Sequence, residues 1–289
     1  MPELPEVEGV VRLIRPAVEG RTVQEVTVSE TVRESKAGGK DAILKRITED
    51  AFIEEMTGAT FRSVERRSKY IYFMMEKEGP FLFINHLGMT GAWFHVEALD
   101  GIREEKFRRH VHIVFTLDDG SLFVYSDIRR FGEMRLLQDE SGYPPLLLMA
   151  PEPFGEDALH HFLDMSNRPK YARKPIKEVI MDGQVISGCG NIYATEALFR
   201  EKIRPDRQAG DLPEEQKTAL FRTVSSILAE SIEAGGSTIS DYRNINGESG
   251  SMQHRLKMYG KKQCPDCGAE TEKMTIGGRT SVFCPSCQK

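Results

Sequence analysis

The chain has 289 residues, with 39 Lys and Arg against 44 Asp and Glu, which gives a net charge of −5 at pH 7. This length accommodates two domains and a small third module. It contains no apolar run of about 18 residues, so we expect no membrane span and no membrane partner. The acidic N-terminal stretch lacks the apolar core of a signal peptide, so we expect a cytoplasmic protein. The net charge argues weakly against nucleic acid as a partner.

The chain begins MPELPEVEG, and two interpretations of this stretch stay open. Apolar residues at roughly helical spacing predict an amphipathic helix from about Glu6 to Val18, and an early proline and glutamate favour its first turn. That structural interpretation does not account for Pro2. Removal of Met1 would leave Pro2 with a secondary amine, a nucleophile that forms iminium ions, and Glu3 beside it could shuttle protons. If Met1 is retained, the Pro2 nitrogen is an amide and this chemistry fails.

Residues 20–140 are predicted to be mostly short β-strands, because they are rich in β-branched and aromatic residues and are interrupted by turn signals. Alternation is clearest in HVHIVFTL, just before the turn sequence DDG. Regularly spaced short strands indicate a sandwich or a flattened barrel. The predicted strands are 21–29, 59–67, 69–76, 80–87, 110–117 and 121–128.

The second half of the chain has a helical pattern. SGYPP and MAPEP, within residues 141–153, have the composition of a linker. NIYATEALFREK at 191–202 has helical periodicity, and residues 214–236 predict a long amphipathic helix that ends at a glycine pair. We therefore expect a β-rich part followed by a helical part.

Basic residues cluster along this otherwise acidic chain, at 62–69, 103–109 and 129–130. The stretch NRPKYARKPIK at 167–177 carries five basic residues and no acidic one. A single charge run is usually a solvated face, but several clusters favour a surface that binds phosphate groups.

Four of the five cysteines form a C-x2-C-x16-C-x2-C pattern near the C-terminus. This spacing is typical of a structural zinc site, and disulfides are the poorer interpretation for a cytosolic protein. Four protein ligands leave no open position, so we expect zinc to fold a small module rather than to act in catalysis. Cys189, the fifth cysteine, is interpreted as a small buried residue in a tight turn. The predicted zinc ligands are Cys264, Cys267, Cys284 and Cys287.

Together, these features resemble the formamidopyrimidine-DNA glycosylase/endonuclease VIII family of bifunctional DNA repair enzymes. The start PELPEVE and the four-cysteine C-terminus are a rare pair, and further motifs follow in the family's order along essentially the whole chain. These motifs are RRSKY at 66–70, HLGMTG at 86–91, DIRRFG at 127–132, GCGNIYATEALF at 188–199, EAGGST at 233–238 and FCPSCQ at 283–288.

The resemblance implies an α+β multidomain fold. A β-sandwich with an N-terminal helix precedes a helix–two-turn–helix domain that carries a four-cysteine zinc-finger hairpin with one structural Zn²⁺. The expected boundaries are a catalytic domain at 1–142, a linker at 143–155, a DNA-binding helical domain at 156–250 and a zinc finger at 251–289. The expected partner is double-stranded DNA with damaged bases or abasic sites, bound by a monomeric bacterial protein that works at the nucleoid.

The resemblance also implies catalytic roles. Pro2 matches the nucleophile that attacks C1′ of the damaged nucleoside. Glu3 matches the acid/base that opens the sugar and drives elimination, and Glu6 matches a supporting carboxylate. Lys69 matches the lysine that contacts the phosphate beside the lesion.

Five further positions match residues that hold the DNA. Met89, Arg129 and Phe131 match side chains that enter the duplex and fill the gap left by an everted base, which offsets the loss of stacking. Asn191 and Arg279 match ligands of the phosphates that flank the lesion. Asn191 opens a predicted helix, whose N–H groups and dipole can face a phosphate.

The function implied is that of a glycosylase and abasic-site lyase that removes 8-oxoguanine and formamidopyrimidines and then cuts the strand by β- and δ-elimination. Oxidised purines are favoured because residues 242–254 resemble the loop that caps them in the formamidopyrimidine branch. Three alternatives stay open: an endonuclease VIII-like enzyme for oxidised pyrimidines, a non-catalytic DNA-binding homologue and, as the poorest, a zinc-dependent hydrolase.

Overall fold

The structure is a computed structural model that describes residues 2–237 and 250–289. Met1 and residues 242–249 of the predicted capping loop lie outside these ranges. The described part divides into two compact units. The first holds residues 2–147 with 235–237 and 250, and the second holds Leu148–Ala234 and Ser251–Lys289. No helix within the described ranges is long and apolar enough to cross a membrane.

Strands dominate the first unit, with short helices between some of them, and helices dominate the second. The helices are α1 Leu4–Val18, α2 Glu30–Ala37, α3 Glu49–Met56, α4 Glu105–Arg108, α5 Pro144–Leu147, α6 Ala158–Asn167, α7 Pro169–Ala172, α8 Ile176–Met181, α9 Asn191–Arg200 and α10 Glu214–Glu233. The strands are β1 Val23–Val28, β2 Ile43–Leu44, β3 Thr60–Arg67, β4 Tyr70–Glu76, β5 Pro80–His86, β6 Gly91–Val96, β7 Val111–Leu117, β8 Leu122–Asp127, β9 Glu133–Leu137, β10 Glu272–Ile276 and β11 Arg279–Phe283.

The first unit is a β-sandwich. One sheet has the order β1-β7-β8-β6 and the other has the order β2-β9-β5-β4-β3. Aromatic side chains from both sheets meet between them, where Trp93 stacks on Phe123 with ring centroids 4.2 Å apart and Phe73 stacks on Phe83 at 4.9 Å. Phe73 also meets Trp93 edge-on across the interface. The predicted α+β fold with an N-terminal sandwich is therefore confirmed.

Helix α1 covers this core and begins earlier than the predicted Glu6. Its buried apolar positions, among them Val7, Val11 and Ile14, belong to the same core cluster as the aromatic residues of the strands. The helix packs against β3. Burial of one apolar stripe, rather than helix propensity alone, holds a helix of this length in place.

Besides the single turn of α4, two longer helices lie where the sequence predicted mostly strands. In α3, the side-chain oxygen of Thr48 accepts a hydrogen bond from the Ala51 N–H, and Phe52 and Met56 are buried. In α2, Val32 is the buried residue of an otherwise polar segment. Both helices are short and give little periodicity, and the acidic first turn behind Thr48 was the available signal for α3.

The second unit packs α9 and α10 together, with α6 against α10 and β11 against α9. Phe162 and Phe221 stack between α6 and α10. The antiparallel hairpin β10–β11 packs its base on the end of α9 through a small cluster. That cluster contains Phe199, Met258, Val282, Cys264 and Cys284. The predicted helical part with a four-cysteine hairpin is confirmed.

Asn85 provides a test of the sandwich interior, because it is fully buried and joins three strands. Its Oδ1 accepts a hydrogen bond from Trp93 Nε1 at 2.9 Å, and its Nδ2 donates to the Glu133 carbonyl at 3.0 Å. We expect Asn85→Ala to lower the free energy of unfolding of the first unit by about 2–4 kcal/mol, because it leaves buried polar groups unpaired and opens a cavity. The fluorescence of Trp93, the single tryptophan, in a urea titration measures this. The exposed amide variant Gln138→Ala should change it by less than about 0.5 kcal/mol.

Candidate active site and metal centre

The first turn of α1 is a buried, reciprocally capped carboxylate pair. Glu3 is the N-cap residue, and its backbone N–H donates to Glu6 Oε2 at 2.8 Å while its own side chain accepts from the Glu6 N–H. Glu3 is 3% exposed and Glu6 is 2% exposed, and Pro2 directly before them is also buried. Carboxylates at a helix N-terminus accept hydrogen bonds from its otherwise unpaired N–H groups, and their negative charge interacts favourably with the positive end of the helix dipole. The predicted Pro2, Glu3 and Glu6 therefore lie together in a fixed, water-poor position.

Glu6 also binds the chain that follows α10. Its Oε1 accepts a hydrogen bond from the Ser237 N–H at 2.7 Å. Gly236 has φ +82° and passes so close that a Cβ there would lie 3.1 Å from Glu6 Oε1 and 3.3 Å from its Cα. A glycine fits this position because it adopts that φ without strain and has no side chain to displace Glu6. The start of α1 and the segment at Gly236–Ser237 are thus held as one piece.

Lys69 lies at the tip of the β3–β4 hairpin and is half-buried. Ser68, beside it, has φ +55°, a left-handed conformation that is uncommon for a residue with a side chain. Arg66 holds this turn, since its Nη1 donates to the Ser68 carbonyl at 3.2 Å and its Nε donates to Glu8 Oε2 on α1 at 2.8 Å. Burial raises the pKa of Glu8, but the hydrogen bonds from Arg66 and Arg12 outweigh it and keep that pKa below its usual value.

His86 lies at the end of β5 and remains neutral near physiological pH. Burial, together with the positive charge of Lys69, lowers its pKa to about 4. Its Nδ1 accepts a hydrogen bond from the Gly88 N–H at 3.2 Å, so the proton of the neutral ring sits on Nε2. The ring lies 5.0 Å from that of Tyr70, centroid to centroid.

Among the three residues matched to the gap-filling side chains, Arg129 contacts the other two. Arg129 Nη1 lies 3.1 Å from Met89 Sδ, and the Arg129 guanidinium carbon lies 4.7 Å from the centroid of the Phe131 ring. Phe131 is 55% exposed, although a large apolar side chain in water is unfavourable. The pair gains from the cation–π geometry. We call Met89, Arg129 and Phe131 the wedge.

In the second unit, the two predicted phosphate ligands lie beside each other. Asn191 is the first residue of α9, and its Nδ2 donates to the Thr280 carbonyl at 3.2 Å. Arg279 precedes Thr280 at the start of β11 and is exposed. The N-terminus of α9 therefore lies next to the start of β11, the strand that begins with the exposed Arg279.

The basic stretch at 167–177 does not form the open cationic surface that its composition favours. Arg168 pairs with Asp164, and Lys174 pairs with Glu178. Lys177 is fully buried and donates to Thr195 Oγ1 at 2.8 Å. Several basic side chains of this stretch therefore bind to residues of the same unit, and the spacing of charges along the sequence does not show such pairing.

The four cysteines fit a tetrahedral zinc ion. Their Sγ atoms all lie within 4.8 Å of one another. The Sγ atoms of Cys264 and Cys287 are 3.9 Å apart, and those of Cys267 and Cys284 are 3.5 Å apart. Zn–S bonds of about 2.3 Å in tetrahedral geometry require separations of about 3.8 Å. The predicted site is confirmed: these cysteines bind one structural Zn²⁺, and all four positions of the ion are filled by protein.

Two buried polar residues anchor the zinc hairpin, and neither is among the site residues predicted from the sequence. The Glu196 carboxylate on α9 accepts hydrogen bonds of 2.7–2.8 Å from the backbone N–H groups of residues 257–259. Gln288 accepts from the Cys284 N–H at 2.9 Å and donates to the Ile203 carbonyl at 2.8 Å. A glutamate inside the apolar stripe of α9 was the available signal for the first contact.

This combination of β-sandwich, helical unit and zinc hairpin is the one that the motifs imply for a DNA repair glycosylase. Three family models match the chain: the formamidopyrimidine-DNA glycosylase N-terminal domain over residues 1–134, the H2TH domain of the same enzymes over 149–243, and the zinc finger found in FPG and IleRS over 261–289.

Curated relatives and solved structures agree with the family models. The formamidopyrimidine-DNA glycosylase of an Exiguobacterium species is 37% identical over all of both chains, and that of Bacillus subtilis is 35% identical over all of this chain and 99% of the relative. The Lactococcus lactis Fpg bound to abasic-site DNA matches with a TM-score of 0.83 and 31% identity, over 99% of each chain. The Thermus thermophilus MutM (Fpg) protein matches with a TM-score of 0.82 and 34% identity, over 99% of this chain and 98% of that one. The chain belongs to the formamidopyrimidine-DNA glycosylase family.

Loss of a zinc ligand should affect the second unit alone. We expect Cys264→Ser to reduce bound zinc from one ion per chain to near zero and to unfold the hairpin, because a small metal module draws its folding free energy from the ion. Metal analysis of the purified protein measures the bound zinc, and the circular dichroism spectrum measures the unfolding. The emission spectrum of Trp93, the single tryptophan, should match that of the unsubstituted protein. Cys189→Ala, at the cysteine outside the cluster, should keep its zinc. Full zinc content in Cys264→Ser would contradict the site.

His86 should make the first unit less stable in acid. The pKa of about 4 in the folded state lies below the usual 6.5, so the unfolded chain binds more protons between these values and stability falls as the pH decreases from 6.5 to 4. We expect His86→Asn, which keeps an acceptor near Nδ1, to flatten this dependence by up to about 3 kcal/mol. Urea titrations at pH 4.5 and 7 followed by Trp93 fluorescence test this. His160→Asn, at an exposed histidine, is the control.

Proposed function

We propose that this protein is a bifunctional DNA glycosylase and abasic-site lyase of base excision repair, which removes oxidised purines from double-stranded DNA. One observation carries this proposal: Pro2 is buried beside the reciprocally capped pair Glu3 and Glu6, at the start of a chain of this family. A nucleophile and an acid/base group need that kind of fixed, water-poor position.

The proposed chemistry starts from the Pro2 nitrogen once Met1 is removed. This nitrogen attacks C1′ of the damaged nucleoside, and the base leaves with the electrons of the glycosidic bond and takes up a proton. The nitrogen loses its own proton as an iminium forms, and Glu3 protonates the ring oxygen that departs from C1′. The Glu3 carboxylate then removes a proton from C2′ and the C3′–O3′ bond breaks, with O3′ leaving on its phosphate. A second elimination, in which C4′ loses a proton, breaks C5′–O5′, and O5′ leaves on the other phosphate. The iminium accepts the electrons in both eliminations.

The remaining predicted residues have positioning roles in this proposal. The half-buried Lys69 binds the phosphate beside the lesion, and its hairpin tip is held by Arg66. Asn191 and Arg279 bind flanking phosphates, and the zinc ion keeps the hairpin that carries Arg279 folded. The wedge fills the gap in the duplex after the damaged nucleotide is everted.

Oxidised purines are the proposed substrates because the relatives are named for formamidopyrimidine, and because a mutant of the L. lactis Fpg has been solved with Fapy-dG DNA and the L. lactis Fpg with abasic-site DNA. The relatives are bacterial, and we keep the cytoplasm, at the nucleoid, as the proposed place of action. We keep 1–142, 143–155, 156–250 and 251–289 as the proposed catalytic domain, linker, helical DNA-binding domain and zinc finger.

One observation favours a second candidate, an enzyme for oxidised pyrimidines. The L. lactis Fpg has also been solved with DNA that contains an oxidised pyrimidine. Initial rates on matched duplexes with 8-oxoguanine opposite cytosine and with thymine glycol opposite adenine separate the two candidates. We expect faster release of 8-oxoguanine, and the reverse order would select the pyrimidine enzyme.

A free Pro2 amine is the sharpest requirement of the proposal. Protein with an extension at its N-terminus should form no borohydride-trapped adduct with an 8-oxoguanine duplex, whereas protein extended at its C-terminus, with Met1 absent by intact mass, should form one that maps to Pro2. Glu3→Gln should slow adduct formation by about 10²–10⁴-fold because the proton donor is lost. Glu25→Gln, at an exposed glutamate of β1, is the control. Tight binding to an abasic duplex without any adduct from the Met1-free protein would select the non-catalytic alternative.

A further inference from the structure

The loop that carries Arg129 and Phe131 has a strained backbone. Arg130, between them, has φ +57°, which is unfavourable for a residue with a long side chain. It is exposed, so packing of its own side chain does not hold the turn. A strained tip of this kind persists only where the surrounding structure fixes it.

Asp127, which is fully buried at the end of β8, holds this loop through hydrogen bonds to its backbone. Its Oδ2 accepts a hydrogen bond from the Gly132 N–H at 2.7 Å, and its Oδ1 accepts from the Arg129 N–H at 3.2 Å. These two donors lie on either side of Arg130. One carboxylate therefore closes the turn across the strained residue.

The same carboxylate binds the other half of the wedge. Thr90, next to Met89, donates its hydroxyl to Asp127 Oδ1 at 2.5 Å and accepts from the Arg129 N–H at 2.9 Å. Gly88, on the other side of Met89, has φ +64°, and a Cβ there would lie 2.4 Å from the carbonyl carbon of Phe131. The turn that carries Met89 and the loop that carries Phe131 are therefore joined both by backbone contact and by one buried acid.

We propose that Asp127, assisted by Thr90, is a positioning residue that holds the wedge ready before DNA arrives, so that eversion of the damaged nucleotide depends on it and the chemistry at Pro2 does not. This inference rests on the proposed function of the wedge. Its physical basis is preorganisation: side chains already fixed in the inserting geometry lose little conformational freedom when they enter the duplex. Asp127 touches neither the base nor the sugar in this account and acts only through the loops that it joins.

The test compares a substrate that needs eversion with one that does not. Borohydride-trapping rates are measured on a duplex with 8-oxoguanine opposite cytosine and on a single strand with a preformed abasic site. The single strand has no damaged base to evert and no gap in a duplex for the wedge to fill. We expect Asp127→Asn, which cannot accept from both sides of Arg130, to lower the duplex rate by about tenfold to a hundredfold while the single-strand rate stays within about twofold. The fluorescence of a 2-aminopurine placed beside the lesion should rise more slowly with Asp127→Asn than with the parent protein, because the wedge inserts later and unstacks that base later.

Matched variants separate positioning from a general loss of structure. Thr90→Val should lower the duplex rate in the same direction by a smaller factor, and Thr90→Ser, which keeps the hydroxyl, should restore it. Asp119→Asn is the control, since its carboxylate serves a turn at the opposite end of β8. If Asp127→Asn does not fold, the contrast between Thr90→Val and Thr90→Ser on the two substrates decides the question.

Two outcomes overturn the inference and leave the proposed function standing. In the first, Asp127→Asn leaves the ratio of the duplex rate to the single-strand rate unchanged while Phe131→Ala lowers it. In the second, Asp127→Asn lowers the rates on both substrates equally, as a purely structural role would. An unchanged ratio in Phe131→Ala would overturn the inference together with the proposed wedge. Failure of the parent protein on both substrates would instead overturn the proposed function itself.

Discussion

The buried carboxyl group of Glu6 is the constraint on which the N-terminal site depends. A polar group in a buried position costs free energy unless hydrogen-bond donors surround it. Its two oxygens accept from the Glu3 and Ser237 N–H groups, and the second donor is 231 residues away along the chain. The first few residues of a domain are usually poorly ordered. This one cannot open without leaving buried acceptors unpaired, and Pro2 is fixed as a result.

Much of this arrangement could be predicted where the information is local. Helix α10 and the zinc ligands follow from periodicity and spacing within short segments, and the start of α1 was predicted to within a few residues. The bonds from Arg66 to Glu8 and from Ser237 to Glu6 could not be predicted in this way. Their partners are far apart in the sequence, and only the fold decides which donor reaches which acceptor. The wedge residues were named by resemblance, but their contact with one another is a property of two loops, not of a motif.

Charge along the sequence was the weakest guide for the same reason. The pair Arg168–Asp164 is largely exposed on both sides, and such pairs contribute little to stability, so either member can exchange its partner for another ion at small cost. Lys177 is different, because its ammonium group is buried against Thr195 and is not available to a ligand. A chain with a net charge of −5 can still bind a polyanion through a few well-placed cations, and its affinity then depends steeply on salt concentration.

The two tips of the first unit that carry proposed DNA-contacting residues are built alike. Ser68 beside Lys69 and Arg130 between Arg129 and Phe131 both have left-handed backbones, and a buried or half-buried side chain closes each turn from within: Arg66 for the first and Asp127 for the second. Strain of this kind costs about 1–3 kcal/mol at each residue, which the rest of the fold must offset. Glycine at either position would remove the strain but would also loosen the folded tip, because a residue without a Cβ can adopt more backbone conformations. The observed residues therefore keep the backbone of the two tips ordered, and backbone strain is the cost of that order.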